Sequence, residues 1–256
     1  MTGFAYETYQ LGLRTIRKVY RVPANPISIV LFPLIQLLVF SQLFRGIVQL
    51  PGFGQQTSYL AYLAPGQILF TAFFAVSWSG GSLLADYRSG YLDKLRASPI
   101  QRYAILAGEL VPLAISVAVM AGTILVVSVL LGATVATGLP GALLILLLAA
   151  GFGVAWSGVS FIPALVTKNE QATGTLSLLL FPIAFMSTAF VPVQLMPDWL
   201  QTFNVFNPIS YTIEAMRALM VSGYDWPLIG RAVIAILALG LVLQGGTMWA
   251  FRRLTN

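Results

Sequence analysis

The sequence predicts an all-α integral membrane protein with six membrane-spanning helices. The chain of 256 residues is 58% hydrophobic and 9% charged, whereas soluble domains average about 25% charged residues. Six apolar runs are long enough to cross a hydrocarbon core of roughly 30 Å as helices. They cover residues 27–44, 60–85, 105–135, 141–166, 173–191 and 227–251. The runs lack the ten-residue alternation of a membrane barrel, so residues 1–256 are interpreted as a single transmembrane domain.

Residues 1–26 predict an amphipathic helix that lies along the membrane surface before the first span. At about 100° per residue, four apolar side chains share one face and four basic side chains share another, about 120° away. The two sets are Tyr9, Leu13, Ile16 and Tyr20, and Arg14, Arg17, Lys18 and Arg21. Pro23 and Pro26 then turn the chain into the first span. This helix serves either as a charge anchor or as a connecting helix that contacts a cytoplasmic partner.

A short charged segment, DYRSGYLDKLRASP, joins the second and third spans from Asp86 to Pro99. Its pattern is that of a short helix whose apolar edge consists of Tyr91, Leu92 and Leu95. A charged helix with such an edge suits docking into a groove on another protein. The alternative interpretation is an ordinary charged loop between two spans.

Three residues interrupt the apolar character of the later spans. Pro112 and Pro182 each remove a backbone hydrogen bond and favour a kink. Glu109 lies a few residues inside the third span, where an ionised carboxylate is costly unless it finds a partner. Glu109 therefore either makes a structural pairing or marks a proton-linked or conformational site.

The outer segment, residues 192–226, predicts two short helices that dip into the bilayer before the sixth span. Aromatic residues and short apolar patches alternate with prolines along it. Its candidates for the headgroup level are Trp199, Tyr211, Tyr224 and Trp226. Arg217 and Glu214 are spaced to pair at i, i+3 and so to fasten the segment locally. The alternative is an amphipathic surface loop.

The distribution of basic residues predicts the orientation. With both termini inside, eleven of the fourteen Lys and Arg residues are cytoplasmic, which is the positive-inside bias. The eleven are Arg14, Arg17, Lys18, Arg21, Arg88, Lys94, Arg96, Arg102, Lys168, Arg252 and Arg253; the three outside are Arg45, Arg217 and Arg231. This bias accounts for the net charge of +6 without a nucleic-acid partner. The chain has no cysteine and no histidine, which argues against a metal site or a histidine-based catalyst.

Four stretches, in order, resemble the membrane subunits of type 2 ABC transporters, and most of all the daunorubicin/doxorubicin-resistance permease group. The first is the loop pattern made by Asp86, Gly90, Leu95, Ser98 and Pro99. The others are YLAYLAPG at 59–66, STAFVPVQLMPDWL at 187–200 and NPISYTIEAMR at 207–217. The sequence departs from the family at Asp86, where glutamate is more common.

The resemblance implies an exporter subunit located in the bacterial cytoplasmic (inner) membrane. Two such subunits, as a homodimer or a heterodimer, would pair with two cytoplasmic ATPase subunits. The coupling helix between spans two and three would contain Asp86, Gly90, Tyr91, Leu92, Leu95, Ser98 and Pro99. The chain has no phosphate-binding loop of its own, so ATP and Mg²⁺ would bind the partner, and this chain would have neither catalytic residues nor a cofactor.

Two aromatic faces are the candidates for the substrate pathway. In the second span the face consists of Phe70, Phe73, Phe74 and Ser77, and in the fifth of Phe181, Phe185 and Thr188. Such faces suit a hydrophobic or amphipathic substrate, whether drug, antibiotic or lipid-like, although helix packing or lipid contact would produce the same pattern. The alternatives are an exporter of polysaccharide or haem, an ion-coupled transporter or channel, and a lipid-modifying membrane enzyme.

Overall fold

A computed structural model of the chain describes residues 24–49, 53, 58–77, 79–89 and 102–255. Every regular element among them is helical. The helices are α1 (Ala24–Leu43), α2 (Tyr59–Ser77), α3 (Ser79–Arg88), α4 (Arg102–Leu130), α5 (Gly138–Trp156), α6 (Gly158–Thr167), α7 (Glu170–Leu179), α8 (Phe181–Phe185), α9 (Asp198–Asn204), α10 (Pro208–Val221) and α11 (Trp226–Thr255). Short 3-10 helices cover Arg45–Gln49 and Val193–Leu195. The all-helical class is therefore confirmed, while the predicted surface helix at 1–26 lies almost wholly outside the described residues.

Four helical stretches of the described chain are long and apolar enough to cross a membrane. They are Tyr59–Ala85, Leu106–Leu130, Gly138–Thr167 and Trp226–Arg253, and a shorter apolar helix covers Ile29–Leu43. These five coincide with five of the six predicted runs. The count of six spans stays a prediction, because the sixth run has a different form.

The run predicted as the fifth span, residues 173–191, differs from a continuous helix. Helix α7 ends at Leu179 and α8 covers only Phe181–Phe185, after which the chain continues in turns to Val193. Pro182 is the second residue of α8, so the predicted interruption near this proline is confirmed. In contrast, α4 continues through Pro112 as one helix of 29 residues.

Helix α2 lies at the centre of the bundle and packs against α1, α4, α5 and α10. Almost all of its side chains are buried, including Leu63, Ile68 and Phe70. It belongs to a large core that also contains residues of α4, α5, α10 and α11.

We call the end of the bundle that carries Arg88 and Arg252 the basic end, and the end that carries Trp199 and Trp226 the aromatic end.

The predicted pair of short helices in the outer segment is present as α9 and α10. Helix α10 begins where the side-chain oxygen of Asn207 accepts a 3.0 Å hydrogen bond from the Ile209 amide, with Pro208 at the first helical position. Its last turn is tied to the connection between α4 and α5, since the amide of Ala136 donates to the Met220 carbonyl at 2.9 Å. Helix α10 is thereby fixed at the aromatic end.

Candidate pathway and coupling site

The described residues contain only part of the predicted coupling segment. Asp86 lies in the last turn of α3, and its side chain is outside the description. Six further residues of that prediction also lie outside it: Gly90, Tyr91, Leu92, Leu95, Ser98 and Pro99. Helix α3 ends at Arg88, whose guanidinium approaches the Glu170 carboxylate at 3.8 Å. The coupling role of these residues therefore stays a prediction.

Five of the predicted pathway residues come together in one aromatic cluster, made of Phe70, Phe73, Phe74, Phe181 and Phe185. Phe181 lies at its centre, with ring centroids 5.7, 5.5, 4.9 and 5.0 Å from Phe70, Phe73, Phe74 and Phe185, respectively. Such distances are typical of attractive edge-to-face or offset contacts. The aromatic faces of the second and fifth predicted spans therefore pack on each other within one chain.

The aromatic cluster is buried on one side and open on the other. Phe70 and Phe73 are almost fully buried, whereas Phe185 is 45% exposed. Phe32 of α1, 51% exposed, extends the open side by an edge contact of 5.3 Å with Phe74. The cluster therefore combines a packed interior with an apolar edge that an incoming apolar molecule, lipid or second subunit would meet.

The two hydroxyl residues predicted beside these rings do not join the cluster through their hydroxyl groups. The Ser77 hydroxyl donates to the Phe73 carbonyl of its own helix at 2.9 Å. Thr188 is buried nearer the aromatic end, where its carbonyl accepts a hydrogen bond from Arg217. The Thr188 hydroxyl itself is buried and has no hydrogen-bond partner among the described residues.

Between the cluster and the aromatic end, an outer clamp holds the turns that follow α8. We define the outer clamp as Tyr59, Tyr62 and Arg217 together with the carbonyls of Thr188 and Phe190. The Tyr59 hydroxyl donates to the Phe190 carbonyl at 3.1 Å, and the Tyr62 hydroxyl donates to the Thr188 carbonyl at 2.9 Å. The non-helical end of the fifth predicted span is thereby bonded to α2.

Arg217 of α10 is the charged member of the outer clamp and is only 4% exposed. Its guanidinium donates to the Thr188 carbonyl at 2.7 Å, to the Tyr62 carbonyl at 3.3 Å and to the Glu214 carboxylate at 2.6 Å. It also lies 3.7 Å from the centre of the Tyr62 ring, close enough for a cation–π contact. The predicted Arg217–Glu214 pairing is confirmed, and Arg217 in addition joins α10 to α2 and to the turns after α8.

Polar side chains of α9 and α10 support the same turns from the other side. The Asn204 amide donates to the Met186 carbonyl at 2.8 Å, and Ser210 accepts a 3.3 Å hydrogen bond from the Thr188 amide. The backbone of α2 also lies close by, since a Cβ added at Gly66 would be 2.9 Å from the Ala189 Cβ. The turns are therefore held by α2, α9 and α10 together.

A cavity of about 410 Å³ lies beside the outer clamp. Its wall combines three aromatic rings, several amide and hydroxyl groups and the Arg217–Glu214 pair; among the lining residues are Phe53, Tyr62, Gln194, Gln201, Tyr211 and Glu214. The Glu214 side chain is 38% exposed, which leaves its carboxylate accessible from the cavity. The aromatic end therefore offers a polar recess, in contrast to the apolar cluster below it.

Glu109 is half-buried in α4 and accepts a 3.3 Å hydrogen bond from the Ser82 hydroxyl of α3. This contact joins the second and third spans near the basic end, and both interpretations of Glu109 stay predictions. Within the described part of the chain, no group of three or more Asp, Glu, His or Cys residues could hold a metal ion.

Sequence reasoning did not identify the outer clamp. Two features of the sequence pointed to it. Tyr59 and Tyr62 are spaced i, i+3 at the start of an apolar run, and Arg217 lies within the otherwise apolar second half of α10. An arginine and tyrosine hydroxyls that lie in an apolar setting need buried partners, so the two features together could have indicated a contact.

Comparison with known proteins shows the family of the chain. Residues 6–221 match the model of the ABC-2 type transporter. The chain is 33% identical over 201 residues to the daunorubicin resistance ABC transporter permease protein DrrB1 of Streptomyces coeruleorubidus, covering 77% of this chain and 69% of that one.

Two other relatives extend the similarity. The ycf38 transport permease of Porphyra purpurea is 30% identical over 232 residues, which cover 87% of this chain and 78% of the relative. The doxorubicin resistance ABC transporter permease protein DrrC of Mycobacterium tuberculosis (strain CDC 1551 / Oshkosh) is 29% identical over 152 residues, or 59% of this chain and 55% of the relative.

Proposed function

Because the chain belongs to the ABC-2 type transporter family, we propose that it forms the export pathway for a hydrophobic or amphipathic substrate and is driven by a separate ATPase subunit. As a family member it is a multi-pass membrane permease, and its relatives include permeases named for daunorubicin and doxorubicin resistance. The complex would contain two ATPase subunits and a second membrane subunit, in the bacterial inner membrane with both termini in the cytoplasm.

The observation that carries the substrate class is the aromatic cluster. Its rings form a continuous apolar surface that ends in the exposed edges of Phe185 and Phe32. Rings recognise apolar and amphipathic molecules through large contact areas without requiring a fixed charge. The polar cavity at the aromatic end would accommodate the polar part of such a molecule on its way out.

The driving step is assigned to the segment at 86–99. Helix α3 would carry movement of that segment into the bundle, since it ends at Arg88, directly before most of the segment. A motor drives a transporter only if its states differ in affinity for the inward-open and outward-open forms of the membrane subunit. The apolar edge of Tyr91, Leu92 and Leu95 would supply that differential contact.

Changing Leu95 to Asp is expected to abolish stimulation of the ATPase subunit. A charge on the apolar edge would be desolvated without a partner in the groove of the ATPase, so binding should weaken by about tenfold or more. The measurement is ATP hydrolysis and co-purification of the complex in lipid nanodiscs.

Leu95→Met is the matched control, because it conserves volume and apolarity and should retain wild-type activity. Gly90→Pro should reproduce the loss by disturbing the backbone of the segment. Wild-type activity in Leu95→Asp would refute the coupling role.

Changing Phe185 to Ala is expected to reduce export of an amphipathic drug several-fold while ATPase assembly is retained. Phe185 contributes a ring that is 45% exposed, so its truncation removes contact area with the substrate as well as ring contacts with Phe70, Phe181 and Phe190. ATP-driven uptake of daunorubicin into inside-out vesicles that contain the assembled complex measures the effect. Phe206→Ala is the matched control, since Phe206 is 81% exposed at the aromatic end and outside the cluster. Equal uptake in both variants would contradict the proposed pathway.

A further inference from the structure

The basic end of the bundle packs around a second hydrophobic core that is separate from the main one. This core is formed by α3, α4, α6 and α11, and its buried members are Leu83, Leu106, Phe161, Leu165, Ala250 and Phe251. The main core covers the rest of the bundle from α1 to α11. Where one body of a protein rotates against another, the contacts at their boundary decide which helices move together, and the boundary between the two cores is such a place to look for them.

At this boundary α3, α6 and α11 meet with almost no side chain between their backbones. A Cβ added at Gly80 would be 2.5 Å from the Ser160 carbonyl oxygen, and one added at Gly158 would be 2.6 Å from the Leu243 carbonyl oxygen. Small residues permit such close approach between helices in membranes. Because close-packed interiors are nearly incompressible, displacement of one helix is passed to its neighbour here.

Two polar side chains, those of Ser160 and Gln244, make hydrogen bonds between different helices near the same crossing. The Ser160 hydroxyl accepts a 2.9 Å hydrogen bond from the Gly80 amide and donates to the Ser77 carbonyl at 3.2 Å. From α11, the Gln244 amide donates to the Val154 carbonyl at 2.6 Å and to the Ser157 hydroxyl at 2.9 Å. We call Gly80, Ser160 and Gln244 the three-helix junction.

Gln244 also bonds to the backbone at the interruption between α5 and α6. In a continuous helix the Val154 carbonyl would accept from the amide four residues later, that of Gly158. Instead, this carbonyl accepts hydrogen bonds from the Ser157 hydroxyl at 2.8 Å and from the Gln244 side chain, at the point where α5 ends and Ser157 forms a turn. A side chain inserted into the backbone ladder is a known cause of a helix kink, and this one comes from the neighbouring helix.

We propose that Ser160 and Gln244 are positioning residues that make α3, α6 and the basic end of α11 move as one unit. The inference rests on the proposed function, in which the ATPase subunit displaces the segment at 86–99. That displacement enters the bundle through α3, which contacts α6 and α7. The hydroxyl of Ser160 carries it to α6. The amide of Gln244, bonded to Val154 of α5 and to Ser157 directly before α6, fixes the start of α6 to α11, so that α6 follows α3 only while both contacts are present. Without these bonds, α3 moves alone and the pathway does not open.

The test measures two intramolecular distances in the complete complex with its ATPase subunit in nanodiscs. The chain contains no cysteine, so introduced cysteines are the sites of spin labelling on this subunit. One pair joins Ala85 of α3 to Leu130 at the opposite end of α4, and the other joins Val166 of α6 to Leu130. These positions are exposed. Excess unlabelled chain is added so that pairs within one copy dominate.

In the otherwise unchanged chain, both distances are expected to shift by about 2 Å or more when ATP, Mg²⁺ and vanadate trap the nucleotide. In Ser160→Ala and in Gln244→Leu the Ala85 distance should still shift, while the shift at Val166 should fall by at least half. Ser128→Ala is the matched control: Ser128 is as fully buried as Ser160, but its hydroxyl donates to the Ile124 carbonyl of its own helix. It should retain both shifts.

The outcomes distinguish a failure of the proposed function from a failure of the junction proposal alone. If the unchanged chain does not assemble with the ATPase subunit, the proposed function fails and the junction proposal fails with it. If it assembles and hydrolyses ATP, but both shifts persist in Ser160→Ala and Gln244→Leu, the junction proposal alone is overturned. A loss of the Val166 shift in Ser128→Ala as well would also overturn it, because the effect would then follow from any buried serine. Gln244→Leu, at a less buried position, carries the test if Ser160→Ala gives no assembled complex.

Discussion

Replacing Arg217 by Met is expected to lower the free energy of unfolding by about 3 kcal/mol. The variant keeps the volume of the side chain but removes two charge-assisted hydrogen bonds, to the carbonyls of Tyr62 and Thr188. Such bonds contribute about 1.5 to 3 kcal/mol each. The ion pair with Glu214 adds little to this sum, because that carboxylate is 38% exposed and solvent screens it.

Titration of the purified protein with SDS in mixed micelles, followed by circular dichroism, measures this change. Two variants make the result specific. Glu214→Gln should cost less than about 1 kcal/mol, since it removes only the exposed partner. Arg231→Met should have almost no effect, because Arg231 is an exposed arginine on α11 near the same end. Equal losses in Glu214→Gln and Arg217→Met would show that the ion pair, and not the carbonyl contacts, stabilises the outer clamp.

Replacing Gly158 by Leu is expected to destabilise the bundle by about 3 kcal/mol, at the upper end of what overpacking costs. The added Cβ would lie 2.6 Å from the Leu243 carbonyl oxygen and 2.9 Å from its carbon. These are backbone atoms, so no change of rotamer relieves the clash and α6 must separate from α11. That separation would also lengthen the hydrogen bonds of Gln244.

Gly245 provides the matched control for this substitution. It lies on α11 beside the crossing but is exposed, and a Cβ added there meets nothing within 4 Å. Gly245→Leu should therefore be neutral or stabilising by up to about 1 kcal/mol, because leucine is the better helix former. SDS titration of both variants gives the comparison. If both lose the same stability, added bulk in the membrane is the cause, and the close crossing at Gly158 is not.

The helices were predictable wherever apolar composition alone decides the structure. The run at 227–251 corresponds to α11, which covers Trp226–Thr255 and has two arginines in its last turn. The run at 105–135 was extended too far, since α4 ends at Leu130. There Gly132 adopts a positive φ of 102° and the Ala133 amide bonds back to the Ser128 carbonyl at 2.9 Å. A count of apolar residues gives no indication that the helix ends at this point.

The fifth predicted span shows why local sequence was insufficient. Residues 180–191 are apolar enough for a continuous helix, yet the turns there are stabilised by side chains that come later in the chain. The Asn207 amide donates to the Ile183 carbonyl at 3.4 Å, and the Asn204 amide donates to the Met186 carbonyl at 2.8 Å. These bonds satisfy carbonyls that the interrupted helix leaves open. Pro182 indicated the position of the break, but not the partners that stabilise it.

The candidate site was predictable to a similar degree. Helical spacing identified the phenylalanines of α2 and α8, because residues three and four apart share a face, but it gave no indication that Phe181 packs among the others. The Arg217–Glu214 pair followed from i, i+3 spacing, whereas the contact of Arg217 with Tyr62 joins residues 155 positions apart. Long-range contacts of this kind depend on how the helices pack, which the periodicity of each helix does not determine.

The long separation within the outer clamp also imposes an order on the biogenesis of the protein. The two residues are 155 positions apart, and at 5 to 20 residues per second the ribosome needs roughly 8 to 30 s to advance from Tyr62 to Arg217. Throughout that interval the N-terminal spans reside in the membrane without the contact that later joins them to α10. Until α10 has been synthesised, the carbonyl and the ring of Tyr62 lack their Arg217 partner.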